Sequence, residues 1–306
     1  MTRVAFLVNP ASANGSTGKR WPELARRAAA AGLDGDTFFS REAGELTELA
    51  RRAADGGAEL LVVVGGDGSV NEVVNGVAGR DGVELAVIAR GTGWDFARSL
   101  ALPHNADRAI QTALHGQARL LDLGRVTYRS WSGADAERWF ANVGSVGMSG
   151  AIAQRANDTS KALGGKVSYV WATFAVFARW TNGEVDVTVD SETRRARMHD
   201  VVVANGSYFG GGMKICPGAD PGDGTFDVLL IGDLTKSDLL LTLPKTFRGK
   251  HLPHPKAELL RGTRVTVDAA VALPLQLDGE QPGTTPVRFE LVPRALRVRV
   301  PSSSSS

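Results

Sequence analysis

The sequence predicts an α/β nucleotide-binding domain of Rossmann-like type followed by a β-sandwich domain. Three observations carry that expectation. Over the first ~120 residues short apolar runs alternate with helical patterns, the order of a parallel sheet with helices on its faces. Two of those runs end in glycine-rich turns, Gly65-Gly66-Asp67-Gly68 and Gly91-Thr92-Gly93. Beyond Asp122 strand-like runs separated by turn residues take over.

Taken in order, Val4 to Val8 reads as a strand and Trp21 to Ala31 as a helix ended by Gly32. Leu60 to Val64 is a short apolar run of buried-strand type. After the glycine turn, Ser69 is expected to open a helix, with Glu72 three residues later completing a capping box. Val70, Val73, Val74 and Val77 then form one apolar helical face. Leu85 to Ala89 is another strand, followed by the second glycine turn and a helix from about Asp95. The expected boundary lies near Leu121 to Arg125. It assigns residues 1–122 to the nucleotide domain and 123–294 to the sandwich, with the segment from about 295 to 306 packing back onto the first. The sandwich strands are Trp139 to Val143, Val185 to Val189, Val201 to Ala204, Phe226 to Ile231, Val265 to Val267, Leu275 to Leu277, Val287 to Leu291 and Leu296 to Val300. One helix, roughly Ala162 to Trp180, interrupts them.

The chain of 306 residues is 43% hydrophobic and 22% charged, as in a soluble globular protein. A formal net charge of +2 argues against a dedicated nucleic-acid binder. A single cysteine, Cys216, excludes an internal disulfide and fits a reducing cytoplasm. The first ten residues read as a strand and not as a signal peptide. The most apolar later stretch, Tyr169 to Trp180, falls short of the ~20 residues that span a bilayer. An exposed edge strand could pair two copies into a homodimer.

Several catalytic motifs fail on inspection. Gly18-Lys19 is followed by Arg20 and preceded at the needed spacing by Ala13, so there is no Walker A loop. Asn71 breaks a dinucleotide fingerprint, and Val143 breaks a nucleophile elbow at Ser145. The five histidines and Cys216 lack zinc spacing, and His251 and His254 read as loop residues.

Four segments remain. The strand, glycine turn and helix start around Gly65 form an anion site, because glycines admit close approach and the helix N-terminus favours negative charge. Asp67 within that turn points to a cation, or to a water held by one. The second turn repeats the arrangement with Thr92 and Asp95, and two such turns at parallel-strand ends line one crevice. The third segment, Cys216 to Asp227, carries Asp220, Asp223 and Asp227 in a loop entering a strand, donors that suit Mg²⁺ or Ca²⁺. The fourth is Leu277-Asp278-Gly279-Glu280. Strand alternation would put both carboxylates on one side for general-base work. Taken alone, an ordinary Asp/Gly turn is the better account of the third segment and a hairpin turn of the fourth.

Together the four resemble the diacylglycerol kinase catalytic-domain family, which includes bacterial lipid kinases, sphingosine kinases and ceramide kinases. The resemblance runs from Asn9-Pro10 through GGDGS and the Gly91-Thr92-Gly93 turn to the block from Asn205 to Val228 and the terminal LDGE. GGDG alone is weak, since NAD kinases and phosphofructokinases carry a similar turn. The block Asn205 to Met213 and the LDGE make the match specific.

The resemblance implies that Asn9, Ser40, Gly65, Gly66, Asp67, Gly68, Ser69, Val70, Asn71 and Thr92 contact the nucleotide. It implies that Asp223 is a side-chain Mg²⁺ ligand with backbone carbonyls of Asp220 and Thr225, and that Asp67 and Asp95 join through water. Glu280 corresponds to the base that deprotonates the lipid hydroxyl, with Asp278 as partner, in a cleft between the domains. Two departures stand out. Trp94 replaces the family's usual asparagine, which would reshape the nucleotide and cation network or stack on the base. Gly147-Met148-Ser149-Gly150 lacks the acid often found there, so Ser149 has no assigned role.

The expected activity is ATP- and Mg²⁺-dependent phosphorylation of a lipid hydroxyl at a membrane surface, diacylglycerol to phosphatidic acid by default, by a cytoplasmic, peripherally associated protein. The aromatic stretch Tyr169 to Trp180 is a candidate for acyl-chain contact or interfacial docking, although such a helix more often packs in a core. Sphingoid-base or ceramide phosphorylation, an NAD kinase-like activity on a soluble acceptor, and a non-catalytic nucleotide or lipid sensor are the alternatives.

Overall fold

The structure, a computed structural model, describes residues 2–91, 93–153, 176 and 179–302. Thr92, and the expected helix over Ala162 to Trp180 apart from 176, 179 and 180, lie outside the described residues. The chain divides into two compact units, Met1–Leu123 with Pro293–Ser306, and Gly124–Val292.

The first unit is α/β. Its strands β1 (Val4–Val8), β2 (Asp36–Phe39), β3 (Leu60–Gly65) and β4 (Glu84–Ala89) are all parallel in the order β2-β1-β3-β4. The chain's C-terminal end adds a further parallel strand, with Arg297 opposite Glu84 and Val298 opposite Leu85. Every residue of β1 and β3 is buried, as unbroken apolar runs must be when both sheet faces are covered. The helices are α1 (Ser16–Ala30), α2 (Glu45–Asp55), α3 (Asp67–Val77), α4 (Asp95–Ser99) and α5 (Ala106–His115). Helix α1 starts at Ser16 and not at Trp21, because Gly15 turns into it in the left-handed region. Trp21 is its first large buried side chain, where the apolar period becomes visible. Trp21, Leu24 and Ala28 pack with Phe6, Val62, Val64 and Ile88 in one core.

The second unit is antiparallel. The chain enters it along β5 (Gln117–Ser130), then runs through β6 (Asp135–Phe140), β7 (Val143–Gly147), β8 (Gly183–Val189), β9 (Glu192–Ala204), β10 (Tyr208–Phe209), β11 (Met213–Lys214) and β12 (Phe226–Gly232). Helix α6 (Lys236–Thr246) follows, then β13 (Ala257–Gly262), β14 (Arg264–Ala269), β15 (Pro274–Leu277) and β16 (Glu280–Val300), which leaves the unit again. The first half of β9 pairs with β8 and its second half with β7 and β12. Val187, Val201, Phe226, Val265, Leu275 and Phe289 from six strands fill the core. The run Trp139 to Val143 is not one strand, since Ala141 and Asn142 separate β6 from β7. The runs Val287 to Leu291 and Leu296 to Val300 belong to the single strand β16. Helix α6 opens on a Thr235–Asp238 capping box, a short-range start signal present in the sequence. Among the described residues no helix is long and apolar enough to cross a membrane.

Candidate active site

Asn9, Ser40, Gly65 and Arg90 sit at or just past the carboxyl ends of β1, β2, β3 and β4, the edge where open α/β sheets bind ligands. Backbone bonds hold these ends together. The Ser40 N–H donates to Val8 C=O at 3.0 Å, the Asn9 N–H to Val64 C=O at 3.0 Å, and the Arg90 N–H to Gly65 C=O at 2.6 Å.

Helix α3 begins at Asp67, directly after extended Gly66, with no side chain capping it. The expected capping box is therefore not formed. Ser69 lies inside the first turn, buried, with its Oγ accepting from Asn9 Nδ2 at 3.0 Å. Glu72 reaches across to accept the Leu46 N–H at 3.0 Å, stitching α3 to α2. Packing of Ser69 beneath the turn requires glycine at 65, where a Cβ would lie 2.3 Å from the Ser69 Oγ. The consequence is a helix N-terminus whose first peptide N–H groups carry no side-chain cap at the ligand edge of the sheet, an anion-binding geometry. Gly66, Asp67 and Gly68 are half-buried there, whereas the Val70 and Asn71 side chains are buried in the unit.

The two candidate site acids of this unit, Asp67 and Asp95, converge on the start of α4. Asp67 Oδ1 accepts the Phe96 N–H at 3.1 Å, acting as a remote cap. A Cβ on Gly93 would stand 2.3 Å from Asp67 Oδ2 and 4.0 Å from Asp95 Oδ2. Asp95 Oδ1 accepts from Arg98 Nη1 at 3.2 Å. Trp94 precedes α4 with φ 64, a left-handed conformation that asparagine adopts readily and tryptophan rarely does. Its Nε1–H donates to Gly91 C=O at 2.6 Å and its ring stacks on His104 with centroids 4.1 Å apart. The indole thus already has an aromatic partner within its own unit.

In the second unit Asp278 and Gly279, with φ 48 and 93, form the two-residue turn between β15 and β16. Strand alternation does not apply across such a turn, so the expected same-side placement of Asp278 and Glu280 is corrected. The Asp278 carboxylate accepts three peptide N–H groups, those of Ala141 at 2.8 Å, Asn142 at 3.0 Å and Val143 at 2.9 Å. Asn205 reinforces the same bridge, its Nδ2 donating to Ala141 C=O at 2.8 Å and its N–H to Asn142 C=O at 2.9 Å. Asn142 Nδ2 donates in turn to Tyr208 C=O at 2.6 Å. Asn142 gave no sequence signal. Its partners come from motifs more than 60 positions away. Glu280 is exposed, as the first residue of β16.

The acidic loop before β12 is closed on itself. Asp223 Oδ1 accepts from the Thr225 N–H at 3.1 Å and Oγ1 at 3.2 Å, and its Oδ2 pairs with Arg261. Arg261 Nε also donates to Asp227 at 3.0 Å. Burial raises the Asp227 carboxyl above the usual range, Arg261 opposes that shift, and Asp223 adds to it. Asp220 accepts the Gly222 N–H at 3.0 Å, and its carbonyl accepts the Asp223 N–H at 3.2 Å. Among the described residues no group of three His, Cys, Asp or Glu could cage a metal. A donor set of one engaged carboxylate with nearby carbonyls fits Mg²⁺ carried by substrate phosphates, the usual manner for that ion, and not a cage built by protein alone.

A polar cluster lies inside the same unit. Ser149 Oγ lies 2.7 Å from Ser145 Oγ and 2.9 Å from Asp200 Oδ1, and the Ser149 N–H donates to Asp200 Oδ2 at 2.9 Å. Ser145 Oγ donates to Gln276 Oε1 at 3.0 Å. Burial pushes the Asp200 carboxyl up to about 7, against the lowering effect of its Ser149 and Val201 hydrogen bonds.

Comparison with known proteins gives a consistent assignment. Residues 3–126 match the family model of the diacylglycerol kinase catalytic domain, and residues 142–300 match that of the YegS C-terminal NAD kinase beta sandwich-like domain. The chain is 29% identical over 301 residues to a diacylglycerol kinase of Mycobacterium tuberculosis, covering 98% of this chain and 95% of that one. It is 27% identical over 307 residues to one of Bacillus subtilis, covering 100% and 98%. A diacylglycerol kinase crystal structure from Bacillus anthracis superposes with a TM-score of 0.74 at 22% identity, covering 98% of this chain and 97% of that one. Yeast NADH kinase in complex with NADH shares the fold with a TM-score of 0.57 at 10% identity, over 99% of this chain and 84% of that one.

Proposed function

The chain belongs to the diacylglycerol kinase catalytic-domain family and is a phosphotransferase; from that premise we propose that it transfers the γ-phosphoryl group of ATP to the hydroxyl of diacylglycerol at a membrane surface. The observation that carries the reading is the uncapped N-terminus of α3 behind Gly65 and Gly66, at the carboxyl edge of a parallel sheet. Phosphoryl transfer asks mainly for positioning and charge neutralisation. The first-turn N–H groups of α3 would take phosphate oxygens, with Asn9 at the adjacent strand end and Ser40 one strand further out. Asp223, with the carbonyls of Asp220 and Thr225, are the groups that would hold Mg²⁺, which when bound offsets phosphate charge. Arg261 would then exchange its Asp223 contact and keep Asp227. Glu280 would accept the hydroxyl proton as the lipid oxygen bonds to the γ-phosphorus and the bond to the bridging oxygen of ADP breaks. Asp278 would support Glu280 through the backbone, by fixing the turn from which β16 starts.

Labelled ATP and Mg²⁺ offered with diacylglycerol, a sphingoid base, ceramide and NAD provide the test. Phosphatidic acid is the expected product. Label in NAD and in no lipid refutes the acceptor class. Glu280→Gln is expected to bind ATP as the wild type does and to lose at least ~100-fold in turnover, the typical weight of a positioned base. Normal turnover in that variant removes Glu280 from the role.

A further inference from the structure

Helix α6 is built inside out. Its buried residues are Thr242 and Thr246, each 8% exposed, and Thr246 Oγ1 turns back to donate to Leu243 C=O at 2.6 Å. Leu239 is half-buried, and the other large apolar side chains face water instead. Leu241 is 71% exposed, Leu240 57%, Phe247 53% and Leu243 37%. A helix packed on its own domain shows the reverse pattern. Four of the eight exposed large hydrophobic residues described fall within these eight positions, so the feature is a patch and not a scatter.

The surroundings of the patch identify what it meets. Lys245, Arg248 and Lys250 line, with Leu243, Pro244 and Phe247, an open groove of ≈ 530 Å³. None of these three cations has an acidic partner among the described residues. The nearest acid on the helix, Asp238, is already taken by Lys256 Nζ at 2.8 Å. An apolar face bordered by unpaired cations complements a surface that is apolar below and anionic above. Lysine and arginine stems can lie along the apolar zone while their charged ends reach headgroups. We propose that the outer face of α6, with the Phe247–Lys250 turn, docks the protein on an anionic lipid bilayer. The inference deepens the lipid-kinase reading, because a diacylglycerol acceptor resides in such a bilayer. The proposed surface is separate in sequence from Tyr169–Trp180, the stretch expected to dock, which lies almost wholly outside the described residues.

The full chain is sedimented with vesicles of phosphatidylcholine alone or mixed with phosphatidylglycerol. The wild type is expected to bind the mixed vesicles at least tenfold more tightly, and to lose that preference as salt is raised. Leu241→Asp with Phe247→Asp should lower binding at least tenfold at an unchanged melting temperature. Lys245→Glu, Arg248→Glu and Lys250→Glu together leave the apolar face intact and should abolish the preference for anionic vesicles, at roughly fivefold per charge. If the Leu241/Phe247 variant does not fold, the charge variant decides alone. Variants that bind as the wild type does overturn the proposal. So does a wild-type dimer that the Leu241/Phe247 variant dissociates while vesicle binding persists, because the face then joins two copies. Vesicle binding lost in these variants with no lipid phosphorylated by the wild type sinks the kinase reading and leaves the docking face standing. Lipid phosphorylation with unaltered vesicle binding by both variants sinks the docking face alone.

Discussion

Asp278 shows how a residue singled out for chemistry can carry structure as well. Its two oxygens hold three consecutive peptide N–H groups between β6 and β7. Removing the carboxylate takes away the acceptor of all three hydrogen bonds, at a cost of about 1 kcal/mol or more each. Asp278→Ala is therefore expected to destabilise the second unit by about 3 kcal/mol, and Asp278→Asn by less, measured as shifts in chemical denaturation midpoint. Unchanged stability in Asp278→Ala accompanied by lost turnover would instead make Asp278 a chemical partner of Glu280. Trp94 makes a related point. A residue poorly suited to φ 64 is kept there by the His104 stack and the Gly91 hydrogen bond.

At the scale of one element, strand β9 buries two adjacent titratable groups of opposite type. Burial lowers His199 to about 4, with Nδ1 3.0 Å from Asn182 Oδ1, and raises Asp200 to about 7. For Asp200 the folded pKa lies above the ordinary carboxylate value. Its contribution to stability is full below about pH 4 and is lost as pH rises to about 7. For His199 the folded pKa lies below the ordinary 6.5, so its contribution is full above that value and is lost as pH falls to about 4. Between about pH 4 and 6.5 the two slopes oppose each other. Urea unfolding of Asp200→Asn should show stability rising with pH across this window relative to wild type. His199→Gln should show it falling. Parallel curves for all three proteins would mean that neither group titrates as its burial implies.

For the whole molecule, the decisive feature is that the chain passes between units twice, at Leu123–Gly124 and at Val292–Pro293. The first unit is incomplete until the last residues return to pair with β4. Leu296, Val298 and Val300 are buried in it. Losing them forfeits roughly 5–9 kcal/mol of apolar burial, at about 1.5–3 kcal/mol per side chain, and opens an edge on β4. That loss is comparable to the whole stability of many domains. A chain truncated after Val292 is thus expected to lose cooperative unfolding of the first unit and ATP binding with it, as followed by calorimetry and nucleotide titration. A truncated chain that binds ATP normally would show that the terminal strand is dispensable.

The sequence by itself determined the local pieces. Unbroken apolar runs such as Leu60 to Val64 can only be buried strands or short helix segments, and glycine turns at two such ends already mark an anion site. The α/β-then-β order follows from the same periodicities. Tertiary structure decided what those periodicities do not encode. Ser69 does not cap α3, because the turn is tight enough to bury it against Asn9. Asp278 and Glu280 do not share a strand face, because two positive φ angles place a turn between them. Asn142 and Asn205 become partners only when β7 and β9 pair, and α6 turns three of its four leucines to water against its own composition. Each of these depends on contacts between residues far apart in the chain. Local pattern specifies which backbone conformation forms, but only long-range packing specifies which side each side chain faces and what it touches.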